Sequence, residues 1–234
     1  MNWLARLFRG KPELTAEQAA RLAAWQALPT PDINAPITAS RYVVVDVETS
    51  GLNLMKDRLI AIGAIAVDAG DIRLADSMEI ILQQSRISDR DNILIHGIGG
   101  TAQAEGVPPV EAMLTFLEYL GKSPLIAFHV DFDKTMIDRA LKTFLGLKFK
   151  HPWADLAYLS PALHPELARS HRSLDEWMAH FGLNNYARHS ALADALSTAE
   201  LLLSLRERLS AKHIESFKAM RELEKAQRMT HWTS

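Results

Sequence analysis

Five side chains scattered along this sequence could together hydrolyse a phosphodiester. Asp46 and Glu48 close an apolar run, Tyr42-Val-Val-Val-Asp-Val-Glu-Thr-Ser-Gly51. Asp133 follows a second apolar run, and His189 stands just ahead of Asp194 in His189-Ser-Ala-Leu-Ala-Asp194. A phosphodiester resists attack because its negative charge repels nucleophiles. Two divalent cations about 3.5–4 Å apart overcome this by clamping the attacking and leaving oxygens. Magnesium takes oxygen ligands in octahedral geometry and keeps several waters. Carboxylates from Asp46, Glu48, Asp133 and Asp194 suit it, with Asp46 placed to bridge both ions. An imidazole titrating near ~6.5 can accept the proton of an attacking water at neutral pH, and His189 is read in that role. The chain has no cysteine, and no serine is arranged with a base, so direct attack by water is the simpler chemistry.

Each piece is weak alone. An acidic pair after a strand is ordinarily a turn or a cap. Here the i, i+2 spacing sends both carboxylates to one face, at the strand end where α/β sheets bind ligands. Beside buried valines, Asp46 would be costly without a neutralising cation. Gly51 lets a backbone or a ligand come close after Thr49 and Ser50. In Phe128-His-Val-Asp-Phe-Asp133, Asp131 reads as a helix cap and Asp133 as the ligand, although either carboxylate fits the position. Asp194 falls on the first turns of a helix, which gives a ligand fixed geometry. His189 falls just before that helix, where a base can approach water and withdraw. A lone histidine is usually a surface or helix-start residue, and His129 and His151 are read that way.

The elements that must position these groups follow from the pattern. Residues 42–47 are a buried strand by their valine content, and 59–67 a second. A turn at 68–71 returns the chain as a third strand over 72–82, so the sheet opens as an antiparallel meander. A loop over 84–106 carries His96-Gly97-Ile98. Pro108 and Pro109 open a helix through Leu120. A strand over 124–128 precedes a helix from about Phe132 to Leu145. A short strand lies near 153–157, and helices near 173–181 and 190–209. The sum is an α/β fold: a mixed sheet with helices packed on its faces.

Residues 1–40 differ. Trp3, Leu4, Leu7 and Phe8 recur at helical spacing among Arg6, Arg9 and Lys11. Thr15 caps a helix to about Ala27, and prolines at 29, 31 and 36 make 28–40 a linker. The basic start suits a membrane surface or a partner, but a helix folded back on its own domain is the preferred reading. The tail, 210–234, is charged and helical. Its Ile214, Phe217, Met220 and Leu223 are spaced by three, which winds them around a straight helix, to pack on the domain, on a second copy or on another protein. Of 234 residues, 48% are hydrophobic, and the net charge is -2. Any nucleic acid must therefore be held by a local site and metal ions rather than a global positive field. No apolar run approaches the roughly 20 residues of a membrane span, and the start is not a signal peptide. With the absence of cysteine, a cytoplasmic location is expected.

From about Tyr42 to Leu205 the chain resembles the DEDD superfamily of 3′–5′ exonucleases, in the branch whose third motif is His-x4-Asp. Its likeness is to the epsilon proofreading subunit of bacterial DNA polymerase III and stand-alone relatives. Asp46-Val-Glu48-Thr49-Ser50-Gly51-Leu52 is similar to the first motif, Phe132-Asp133 to the second and His189 to Asp194 to the third. Ser173-Leu174-Asp175 is similar to a segment leading to the third motif. The resemblance implies a ribonuclease H-like fold with a five-stranded sheet, two magnesium or manganese ions, single-stranded 3′ ends as substrate and nucleoside 5′-monophosphates as products. It also implies substrate contacts at Thr49, Gly51, Leu52 and His96. Relatives usually carry asparagine where His129 stands, which leaves substrate preference open. No sliding-clamp peptide is visible. Residues 41–209 are thus expected to form the exonuclease domain, acting on DNA. The alternatives are an exoribonuclease of the oligoribonuclease or ribonuclease T type, and a catalytically silent nucleic-acid-binding scaffold.

Overall fold

The computed structural model describes residues 12–184 and 189–231. Strands β1 (Arg41–Thr49), β2 (Leu59–Asp68), β3 (Asp71–Ile81), β4 (Leu125–Ala127) and β5 (Trp153–Asp155) form one sheet in the order β3-β2-β1-β4-β5. The first three make the expected antiparallel meander, and β4 and β5 run parallel to β1. The helices are α1 (Ala16–Ala27), α2 (Arg90–His96), α3 (Gly100–Ala104), α4 (Pro109–Leu120), α5 (Val130–Leu145), α6 (Leu156–Leu163), α7 (Leu174–His180), α8 (Ala191–Ser204), α9 (Arg206–Ala211) and α10 (Phe217–His231). Val43, Val45 and Val47 of β1 pack with α1, α4 and α5, while Tyr42 and Val44 pack with α6 to α10. Burial on both faces is why β1 and β2 read as continuous apolar runs instead of alternating ones. The α/β architecture, a mixed five-stranded sheet with helices on both faces, is as expected.

The departures are local. The loop expected over 84–106 contains α2 and α3, too short to show a helical period. The helix expected over 190–209 breaks at Leu205 into α8 and α9, and α5 begins at Val130 rather than Phe132. Asp131 is not a cap: the residue before α5 is His129, in the left-handed conformation with φ 67° and no side-chain capping bond.

Both ends of the described chain lie on the domain. Thr15 and Gln18 form a capping box at the start of α1. Trp25 is buried, and its indole N–H donates to the Gly121 carbonyl at 2.6 Å. Arg21 pairs with Glu111 and Glu118 of α4, each at 2.6 Å. This α1 therefore folds back on the domain; the basic start at residues 3–11, for which a fold-back was preferred, lies outside the described residues. The linker is pinned to the tail, because Ile37 N–H donates to the Glu215 carbonyl and Lys218 N–H to that of Ile33. The expectation that the tail's apolar residues wind around their helix is not met. Phe217 and Met220 are both 1% exposed, with Ile214 and Leu223 packed on the same cluster. Steps of three lag by about 60° each, so two of them still fit within one broad apolar face. Among the described residues no helix is long and apolar enough to cross a membrane.

Candidate metal centre

The centre is built on one row of the sheet. Asp46 stands opposite Gly63 of β2, and Gly63 opposite Glu79 of β3. Residues paired this way point to the same face. A Cβ on Gly63 would collide with the Ala191 and Leu192 backbone, so glycine lets the first turn of α8 rest directly on β2. Glu79 accepts the Ser190 hydroxyl at 3.3 Å and Leu192 N–H at 3.5 Å, and a carboxylate is favourable at a helix N-terminus. Sheet and helix are thereby locked together, and Asp194 comes down beside the strand acids. One oxygen each from Asp46, Glu48 and Asp194 lies within 4.8 Å of the others. Glu48 is 8% and Asp194 4% exposed.

Asp133 approaches that trio on the side of Glu48. It lies one turn into α5, on the helix layer of the opposite face, against the Val47 backbone and beside Glu48 and Asp155. It is 4% exposed. Burial pushes its carboxyl well above the usual carboxylate range, and repulsion from Asp155 and Glu48 adds to this. Asp155, at the end of β5, is also pushed up by burial. Its Oδ1 accepts N–H groups of His129 and Ala157, and its Oδ2 that of Val130. The cap of α5 is thus Asp155, from a different element.

The acids are hard oxygen donors crowded in a buried site, which matches a divalent cation of the magnesium or manganese kind and no thiophilic one. His189 is exposed, in the left-handed conformation with φ 64°, immediately before α8. Its backbone N–H donates to Asp194 Oδ2 at 3.0 Å.

The expected substrate residues divide in two. Leu52 projects into solvent at 86% exposure, near the likewise exposed Met55. Thr49 donates its hydroxyl to the Gly51 carbonyl at 2.7 Å, and a Cβ on Gly51 would strike the Asp57 carboxylate. These two shape the loop after β1. His96 is 4% exposed. Its Nδ1 accepts Ile98 N–H, and its Nε2 is 2.9 Å from Asn92 Oδ1. Buried Gln103 bonds Ser88 and the Ile98 carbonyl, completing this loop's internal frame.

Sequence reasoning did not find Gly63, Glu79, Asp155 or Gln103. Gly63 carried a signal, since an isolated glycine in a strand marks a close backbone approach. So did Asp155, an acid opening an apolar helix. Glu79 and Gln103 offer none, because their partners are distant in sequence.

An acidic cluster at the end of β1, completed by a helix laid over the sheet, defines a phosphodiester-cleaving nuclease. The exonuclease family model RNase_T matches residues 43–202, and the chain belongs to that family. More particularly, it is 31% identical over 186 residues to DNA polymerase III subunit epsilon of Aquifex aeolicus, covering 79% of this chain and 90% of that one. It is 30% identical over 182 residues to DNA polymerase III PolC-type of Thermotoga maritima, of whose length the match spans only 13%. In fold it is similar to Escherichia coli Exonuclease I in complex with a dT13 oligonucleotide, with TM-score 0.62, 18% identity and coverage of 74% of this chain and 42% of that one. It is also similar to Exonuclease X in complex with 5′ overhanging duplex DNA, with TM-score 0.59, 20% identity and coverage of 78% and 99%.

Proposed function

We propose that the protein is a 3′–5′ exonuclease that removes nucleoside 5′-monophosphates from single-stranded DNA ends with two magnesium or manganese ions, in the cytoplasm. The observation that carries this is the convergence of Asp46, Glu48 and Asp194 within 4.8 Å, from segments far apart in sequence. The bound ions would neutralise phosphate charge and make water nucleophilic. Asp46, Glu48, Asp133 and Asp194 would hold them, with Asp133 completing the set from the opposite layer. His189, tethered through its own backbone to Asp194, takes the proton from the attacking water at its imidazole. The exposed Leu52 offers an apolar surface to the terminal base. A groove of about 260 Å³ beside the loop after β1 is lined by Lys56, Arg58 and Arg86 together with Asp57 and Asp89; its cations outnumber its acids and suit the phosphates of an incoming strand. His96 takes part by holding its loop in shape.

DNA is favoured over RNA because the fold relatives named above are complexed with DNA. A silent scaffold would not need the full set of acids and base. Digestion of 5′-labelled single-stranded DNA and RNA with manganese tests the reading. Products shortening progressively from the unlabelled end, faster for DNA, are expected. A faster RNA ladder would transfer the assignment to an exoribonuclease, and intact substrates of both kinds would sink it.

A further inference from the structure

Helix α10 lies beyond the stretch matched by the exonuclease family, yet it reaches the site. Arg228 Nη1 is 2.8 Å from Asp131 Oδ2, and its Nη2 is 3.1 Å from Asp155 Oδ2 and 3.3 Å from Glu224 Oε1. The guanidinium also lies over the Tyr158 ring, 4.3 Å from its centroid. Asp155 is 1% exposed and already accepts three backbone N–H groups at the starts of α5 and α6. A buried carboxylate that staples two helices needs a counter-charge to stay in place, and Arg228 is the cation bonded to it. The first turn of α5, held at His129 and Val130 by this carboxylate, carries Asp133.

We propose that Arg228 is a positioning residue of the nuclease: through Asp155 it fixes the start of α5 and hence the placement of Asp133. The role in catalysis rests on the exonuclease reading above; the role in positioning does not. Phe217 and Met220, the buried anchors of α10, are untouched by a change at Arg228, so the helix should stay docked in its absence. A misplaced ligand should slow turnover without altering substrate affinity, because neither Arg228 nor Asp155 is placed against the substrate here.

The test compares the full chain with Arg228→Met, Arg228→Lys and, as a control of general charge, Lys225→Met. Hydrogen exchange across residues 129–134 is measured without metal, and kcat and KM on single-stranded DNA with manganese. Arg228→Met should speed exchange there about tenfold and lower kcat by roughly 10–100-fold, with KM within about threefold. Arg228→Lys should recover part of both, and Lys225→Met should match wild type. Exchange and kcat both at wild-type values in Arg228→Met would overturn the proposal, as would faster exchange with unchanged kcat. If Arg228→Met loosens all of α10, Arg228→Lys decides by the same two readouts. An inactive wild type with faster exchange in Arg228→Met would overturn the exonuclease reading and leave the positioning role standing.

Discussion

At the scale of single residues, the site crowds carboxylates into a buried space. Asp133 shows this most sharply, since burial and two acidic neighbours push its carboxyl up. Between the ordinary carboxylate pKa of about 3.9 and that raised value, the unfolded chain gives up this proton before the folded one does. Metal-free protein should therefore lose stability as pH rises through that window. Asp133→Asn should remove that loss, giving a higher melting temperature near pH 7 without metal, while abolishing hydrolysis. A melting temperature no higher than wild type's would show that the buried acid carries no such cost. Half-buried His151, lowered to about 4 by desolvation, acts in the opposite sense, losing stability as pH falls below about 6.5. Comparing wild type with Asp133→Asn cancels that contribution. His189→Ala should slow hydrolysis by roughly 10²–10⁴-fold with metal binding retained; a rate equal to wild type removes the base from that position. Asp46→Ala should abolish turnover in a folded protein. The convergence of Asp46, Glu48 and Asp194 was legible in the sequence because each sits at a recognisable juncture of strand or helix. That Asp133 comes from the helix layer opposite α8 was not, because it depends on which face of the sheet α5 covers.

At the scale of elements, the decisive contact is α8 on β2. Gly63→Ala puts a methyl group into the Ala191 and Leu192 backbone. It should cost about 1–3 kcal/mol, the usual range for overpacking, and lower kcat by displacing Asp194. Chemical denaturation and single-turnover kinetics would check both halves, and full activity at wild-type stability would mean that α8 does not bear on the strand there. Strands β1 to β3 were readable from their apolar runs and the turn at 68–71. Helices α2 and α3 were not, since each is held by a buried polar frame around His96 and Gln103 rather than by an amphipathic stripe. The tail's apolar residues were assigned to a winding path because a spacing of three was extrapolated beyond the two steps that α10 uses.

At the scale of the whole molecule, a net charge of -2 leaves strand binding to a few local cations. If Lys56, Arg58 and Arg86 meet the phosphates, the logarithm of affinity should fall against that of salt concentration with a slope near −2, at about 0.7 per contact for single strands. Binding of a labelled oligonucleotide in calcium would measure it, and a slope beyond about −5 would demand a wider basic surface than this one. The notch at Gly63 also bears on how the protein is born. Asp46 and Glu48 leave the ribosome well before Asp194, and the acidic cluster stays open until the segment bearing Asp194 emerges. At 5–20 residues per second, that interval is on the order of 10 s. A chain stopped before α8 should therefore be harmless to nearby nucleic acid, because the acid that completes the cluster is missing.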